Sequence, residues 1–414
     1  MIEQAAAHFD GAFISAASLL AFEVMRSQPM RGGKAIIVGG SVGGLFIGVL
    51  LQREGWSIDI YERSPSGLEG KGAGLVPQQE VADILREIDR GDVMRAGVSA
   101  HERIFLDRNG DISGRLKAPQ SQMSWDLLFK AWRDEVLSQS YHLGSGVASI
   151  TTAQSHAEVH LSDGSIHRAE LVIGADGIGS VVRAMVAPGS KPRYAGYAAF
   201  RGLSPERELS KQSADVVSDR FTFYDLPDTQ FLGYTVAGAD GSTKPGARRY
   251  NWVWYRQLTP DQFAQALEAN DGERRAFSAA RGTLSTSTQE ELRAAARANL
   301  PTVLSEIVTR EKCPFLQGIF DFEAPVMYRG RVVLLGDAAF VVRPHTAMGV
   351  AKAAADAMEL RDALVEEASI DAALYRYSAK RMIAGSLIVR YGQRLGERLQ
   401  MHAPDRAPEL YGEE

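Results

Sequence analysis

Lys34-Ala35-Ile36-Ile37-Val38-Gly39-Gly40-Ser41-Val42-Gly43-Gly44 is the stretch that decides the fold. Lys34 to Val38 is a short apolar run of the kind that forms a strand buried on both faces. It ends in glycines, and Val42 to Arg53 then places Leu45, Val49 and Leu50 at helical spacing. Ser57 to Tyr61 reads as a second strand. This is a βαβ unit. A dinucleotide fingerprint needs small residues at the tight turn, at the pyrophosphate approach and at the helix–strand contact. Gly39, Ser41 and Gly44 fill those places, with Gly40 and Val42 between them. Serine at the second place departs from the pattern, but its hydroxyl can donate to a phosphate at the helix N-terminus. Glu62 ends the second strand, where a carboxylate can accept ribose hydroxyls. The alternative, a bare glycine-rich turn, lacks this context.

Two further apolar runs end the same way. Leu171-Val172-Ile173-Gly174-Ala175-Asp176-Gly177 precedes Ser180 and Arg183, and Arg331 to Asp337 precedes Ala338-Ala339 and Arg343-Pro344-His345. Strand C-termini are where α/β sheets bind ligands. For each Asp the alternative is a helix cap. Between these runs the spacing predicts helices over Pro77 to Ile88 and Met123 to Leu137 and a hairpin over Ile104 to Leu116. It also predicts strands at Ala157 to Leu161 and Ile166 to Ile173. From Tyr194 to about Tyr255 the period is two, with Tyr250, Trp252 and Trp254 alternating with Asn251, Val253 and Tyr255. Polar helical sequence runs from Pro260 to Val308, and another helix from Gly349 to Leu364.

The expected class is α/β: a Rossmann-like nucleotide domain with a parallel sheet, interrupted by an α+β substrate domain with a mainly antiparallel sheet. The nucleotide domain is expected over 31–100, 120–193 and 313–365, and the substrate domain over 101–119 and 194–312. Residues 1–30 read as an extension, poorly ordered or one helix, and 366–414 as a helical end.

Composition narrows the class. A net charge of -5 over 414 residues leaves no basic footprint for nucleic acid. The single cysteine, Cys313, cannot form an internal disulfide or the dithiol of a flavin disulfide reductase. No apolar run reaches the roughly 18–20 residues that span a bilayer. A cytoplasmic protein without membrane or metal partners is expected.

The order of glycine fingerprint, GADG with a downstream Arg, and RVVLLGDAA with a downstream Pro resembles the FAD-dependent aromatic hydroxylases of the p-hydroxybenzoate and salicylate hydroxylase type. Phe340, Ala347 and Ala351 stand where that family often has His, Gly and Asn, which leans toward its pyridine-hydroxylase branch. The resemblance implies that Gly39, Gly40, Ser41, Val42 and Gly44 hold the FAD pyrophosphate with Asp176 beside it. It puts Glu62 and Arg63 at the adenosine ribose and Gly72, Ala73, Gly74, Leu75 and Gln78 along the flavin. Asp337 would meet the ribityl chain, and Pro344, Ala347, Met348 and Gly349 would line the ring, the last three through backbone N–H groups. It implies NADH or NADPH as a transient reductant, O2, a flavin C4a-hydroperoxide, a small hydroxylated aromatic or N-heteroaromatic substrate, and a homodimer.

Phe223, Tyr224, Trp252, Trp254 and Tyr255 are candidate walls for a dry pocket, with ordinary packing as the alternative. Tyr197, Arg201, Tyr224, Trp254 and Tyr255 are the expected substrate contacts. His345 is the expected proton-transfer residue, because imidazole titrates near neutral pH. A flavin epoxidase, halogenase or non-aromatic hydroxylase is the second reading. A non-catalytic FAD-fold carrier is the third.

Overall fold

A computed structural model describes residues 32–70, 72–226, 229–270 and 275–400. The expected N-terminal extension lies outside the described residues. The decisive stretch forms strand β1 (Lys34–Val38), helix α1 (Val42–Arg53) and strand β2 (Ser57–Glu62). β1 is the centre of a six-stranded sheet. It pairs in parallel with β2 on one side and with β3 (Leu171–Gly174) on the other. Tyr141–Leu143 extends the sheet beyond β2, and Val332–Leu334 extends it beyond β3, both in parallel. Ala35, Ile36 and Ile37 are fully buried, as central strands covered by helices require.

The carboxyl ends of these strands carry the three motifs to one edge. Ala175 N–H donates to Val38 O at 2.8 Å, and Leu335 N–H to Gly174 O at 2.9 Å. The fingerprint turn is packed so closely that side chains are excluded. A Cβ on Gly44 would lie 2.0 Å from Gly39 O. Gly39 has φ of +105°, and a Cβ there would lie 2.4 Å from Ala175 O.

The second large sheet is mostly antiparallel. Its spine is β4 (Arg193–Pro205), flanked by β5 (Arg249–Gln257) and by Phe315–Glu323. Thr229–Val236 and Arg220–Leu226 follow β5 outward, and Arg220–Leu226 accepts Glu102–Leu106 in parallel. Phe315–Glu323, expected with the nucleotide domain, therefore lies in this sheet by its pairing with β4. Helices Thr286–Asn299 and Thr302–Arg310 lie over one face, and their Leu292, Ala296 and Leu304 belong to the same buried core as Tyr250, Trp252 and Trp254.

Three elements differ from the sequence reading. Among the described residues, the stretch expected as helical from Pro260 to Val308 is helical only over Pro260–Ala266, Thr286–Asn299 and Thr302–Arg310, with Ser278–Ala279 pairing as a strand after the first. The run expected as one strand, Ile166 to Ile173, is two: Ile166–Ala169 pairs back on Ala157–Leu161, and Leu171–Gly174 joins β1. Glu170 between them donates its N–H to Lys34 O, which is where the chain changes sheets. The helix expected from Met123 begins at Trp125, because Met123 and Ser124 are paired with Leu75 and Gly74. Backbone pairing outweighs helical spacing there. Helix α2 (Gly349–Glu366) and the long helix α3 (Ile370–Gln400) complete the described residues.

Gly44→Ala should be destabilising by about 1–3 kcal/mol, the usual cost of overpacking. It should also lower FAD retained on purification, and thermal unfolding with flavin absorbance measures both.

Candidate active site

At the nucleotide end, α1 points its N-terminus over the fingerprint turn. Its first-turn amides have no intrahelical acceptor, and the N-cap Ser41 makes no side-chain cap bond. Its hydroxyl and these amides form an anion-binding donor set. Glu62 is buried and its two oxygens accept from Gly40 N–H at 2.9 Å and Ser64 N–H at 2.8 Å. Tyr141 donates to Gly40 O at 2.8 Å. Glu62 is thus a clamp on the fingerprint turn, and each oxygen keeps lone-pair capacity for a sugar hydroxyl. Arg63 beside it is exposed.

Asp176 accepts from Ser180 Oγ at 2.5 Å and from Val181 N–H at 2.7 Å, so it caps the helix Val181–Val186. The capping alternative is the observed one, and it holds Asp176 against Gly39, whose Cβ would lie 2.8 Å from Asp176 Cα. Arg183 joins the other two motifs. Its guanidinium donates to Ile178 O at 2.6 Å, Ala338 O at 2.8 Å and Asp337 O at 2.8 Å, and it lies over the Phe322 ring at 4.3 Å.

Toward the flavin end, Gly72 to Leu75 runs between two rings. A Cβ on Gly72 would lie 2.1 Å from Trp125 Cε3, and one on Gly74 would lie 2.5 Å from Tyr234 Cε2. Gly74 N–H donates to Asn251 Oδ1 at 3.3 Å. Gln78 is the N-cap of Gln79–Arg86 and leaves its side chain out of the cap. Asp337 keeps its carboxylate half-exposed, 3.4 Å from Lys352 Nζ.

The loop before α2 departs from expectation. Ala347 is left-handed, with φ of 53°, and its N–H donates to Pro344 O at 3.0 Å. Met348 N–H donates to Thr346 Oγ at 3.2 Å. Those two amides are used inside the loop, which leaves the first-turn amides from Gly349 onward as helix donors.

The exposed Asp337, the backbone channel too tight for Cβ atoms and the open amides of α1 fit a pyrophosphate linked to a hydroxylated chain and a flat ring. FAD has that shape and charge.

Strand alternation divides the expected substrate residues. Tyr197, Ala199, Val253, Tyr255 and Ile319 cluster on the sheet face away from the covering helices. His345 joins them: Tyr197 Oη lies 2.8 Å from His345 Nε2, and the Tyr255 ring lies 4.5 Å from the imidazole. Arg201 shares that face, with Nη1 donating to Gln317 Oε1 at 3.0 Å. Trp254 and Tyr224 point the other way. Trp254 Nε1 donates to Thr229 Oγ1 at 2.7 Å, and Tyr224 donates to Asn299 O at 3.1 Å. With Trp252 they are core between sheet and helices, which corrects their expected substrate role; period-two alternation separates them from Tyr255 by one residue. Phe223 packs with Phe221 and Tyr234 in a separate cluster.

His345 also differs from expectation in charge. Burial and the Arg343 guanidinium pull its pKa down to about 3, so the ring is neutral at working pH. Burial lifts the Tyr197 phenol to about 12, with Arg343 pulling against it. Arg343 itself is buried. Its Nε and Nη2 form a two-point pair with Asp321 at 2.9 and 2.8 Å, and its guanidinium lies 5.6 Å from the Tyr197 ring. Asp321, Arg343, Asn251 and Lys352 were not legible as site residues, because each is brought to the cleft by a long-range contact. Only the Arg343-Pro344-His345 and Ala351-Lys352-Ala353 runs hinted at two of them.

Two family models match: an FAD binding domain-like family over residues 194–321 and an FAD binding domain over residues 275–391. The chain is an FAD-binding flavoprotein. It is 28% identical to the 2,6-dihydroxypyridine 3-monooxygenase of Paenarthrobacter nicotinovorans, over 88% of this chain and 91% of that one. It is 26% identical to the 6-hydroxynicotinate 3-monooxygenase of Pseudomonas fluorescens, over 80% and 82%. The solved 2,6-dihydroxypyridine-3-hydroxylase of Arthrobacter nicotinovorans superposes with a TM-score of 0.84 at 27% identity, over 92% of this chain and 96% of that one. These likenesses make the chain an FAD-dependent monooxygenase.

Two outcomes are expected. Asp321→Leu leaves Arg343 as a buried unpaired cation, and should cost about 3–5 kcal/mol in denaturant unfolding. His345 has its pKa lowered on folding from 6.5 to about 3, so its stability contribution is full above pH 6.5 and is lost as pH falls toward 3. Wild type should therefore lose more stability than His345→Asn between pH 7 and 4.5, read as paired melting curves.

Proposed function

We propose that this chain hydroxylates a small hydroxylated N-heteroaromatic ring, inserting one oxygen atom from O2, with NADH or NADPH as reductant. One observation carries the reading: the Tyr197–His345 pair, 2.8 Å apart, at the start of the α2 loop and on the face bearing Tyr255 and Arg201. Hydroxypyridine substrates are those of the relatives named above. Bound FAD supplies the two-electron chemistry and the activation of O2.

The residues of the chain have four tasks. Gly39, Gly40, Ser41, Val42 and Gly44 hold the pyrophosphate, with Asp176 capping the neighbouring helix. Glu62 serves the adenosine ribose while it clamps Gly40, and Arg63 flanks it. Gly72, Ala73, Gly74, Leu75 and Gln78 run along the flavin, and Asp337, Pro344 and Gly349 close the other side. Tyr197, Tyr255 and Arg201 receive the substrate ring, Arg201 opposite a ring oxygen.

A ring hydroxyl must lose its proton before its carbon becomes a strong nucleophile. With the imidazole proton on Nδ1, Tyr197 donates to His345 Nε2 in the resting pair. The substrate proton passes to the Tyr197 oxygen as the Tyr197 proton moves to His345 Nε2. Because burial and the Arg343 guanidinium disfavour a charged imidazole, Nδ1 releases its proton to a water as Nε2 gains one, and His345 stays neutral throughout. The same guanidinium, near the Tyr197 ring, favours negative charge on that side of the cleft.

The test uses purified protein with NADH, NADPH and a panel of hydroxylated pyridines and benzoates, under labelled O2. A hydroxypyridine should accelerate NAD(P)H loss and gain one labelled oxygen. Tyr197→Phe should retain flavin, lower the hydroxylation rate by about 100-fold or more, and divert NAD(P)H oxidation to hydrogen peroxide. A panel in which only benzoates are hydroxylated would overturn the pyridine reading.

A further inference from the structure

Lys352 is the buried charge that the chemistry above does not use. It lies near the start of α2, and its N–H caps back to Met348 O at 2.8 Å. Its side chain is 0% exposed. An ammonium carries three N–H donors, and Nζ makes no hydrogen bond among the described residues. What it does have is Asp337 Oδ1 at 3.4 Å, in an ion pair whose acidic partner is 49% exposed. One end of the pair is sealed in protein and the other opens on the cleft.

The local sequence offers no packing reason for a lysine. Its neighbours on α2, Ala351, Ala353 and Ala354, are small and buried. Burying a charge with one imperfect partner is unfavourable, so an apolar side chain would suit the apoprotein better. Meanwhile Asp337 is held through its carbonyl by Arg183 at 2.8 Å, which fixes its backbone and leaves its carboxylate free to turn. Lys352 is what faces that carboxylate from inside.

We propose that Lys352 is a positioning residue for the cofactor. Its sealed ammonium holds the Asp337 carboxylate aimed into the cleft, so that it accepts a hydroxyl from the ribityl chain of FAD. This rests on the assignment of the Gly336–Ala339 turn to that chain. The arrangement trades apoprotein stability for cofactor affinity, and this separates it from a purely structural lysine.

The full-length protein, stripped of flavin, is titrated with FAD by fluorescence quenching, and the apoprotein is melted in parallel. Lys352→Met should weaken FAD binding by about 10- to 100-fold, the range for losing one charge-assisted hydrogen bond, while the apoprotein melts at the same temperature or higher. Asp337→Asn should weaken binding similarly, and the double variant no more than the worse single one. Lys352→Gln, close in length but uncharged, should match Lys352→Met and serves if the methionine variant fails to fold. An FAD affinity within about 2-fold of wild type, fully additive losses, or a lower apoprotein melting temperature with unchanged affinity would each overturn the proposal. If wild type itself does not take up FAD, it is the cofactor assignment that fails.

Discussion

The guanidinium of Arg183 holds two distant parts of the chain in one geometry. It is buried and donates to carbonyls of the Gly177–Ile178 turn and of the Asp337–Ala338 turn. These turns close parallel strands that neighbour each other in the sheet. A planar donor fork suits several carbonyls at once. The position of Asp337, the entry to α2 and the loop carrying His345 all follow from where that turn is pinned. Glu62 does the same for the other turn, joining Gly40 to Ser64. The turns at these strand ends are therefore set by buried side chains that bond backbone.

The two sheets contribute different things to that cleft. The parallel sheet supplies backbone: helix N-termini, glycine channels and carboxylates at strand ends. The antiparallel sheet supplies side chains, and only on one face. Its other face is filled by tryptophans and tyrosines against helices. The Asp321–Arg343 pair links them, since Asp321 belongs to the antiparallel sheet and Arg343 to the loop entering α2. Burial, with the Arg343 guanidinium beside it, keeps His345 neutral, and the imidazole is bonded to Tyr197.

The fingerprint, the two later strand–Gly–Asp motifs and the aromatic alternation were legible because each depends on neighbours within a few residues. Periodicity placed α1, β2 and α2 close to where they are. It did not say which face of the antiparallel sheet meets the cleft, so Tyr255 and Trp254 looked alike. It also did not show that Met123 pairs with Leu75, that Ile166 and Leu171 belong to different sheets, or that Ala347 and Met348 spend their amides inside the loop.

By itself the amino-acid sequence determined an FAD-type α/β protein with a β-rich insertion. Strand and helix periods, glycine turns and strand-end acids are local in the chain, and their order is written in it. Tertiary structure alone decided the charge state of His345, its Tyr197 partner, the pairing of Arg343 with Asp321 and the sealed Lys352 beside Asp337. Those depend on desolvation and on contacts between residues that are distant in the chain or whose facing the sequence leaves open. Burial, which sets the charge a group carries, is a property of the packed whole.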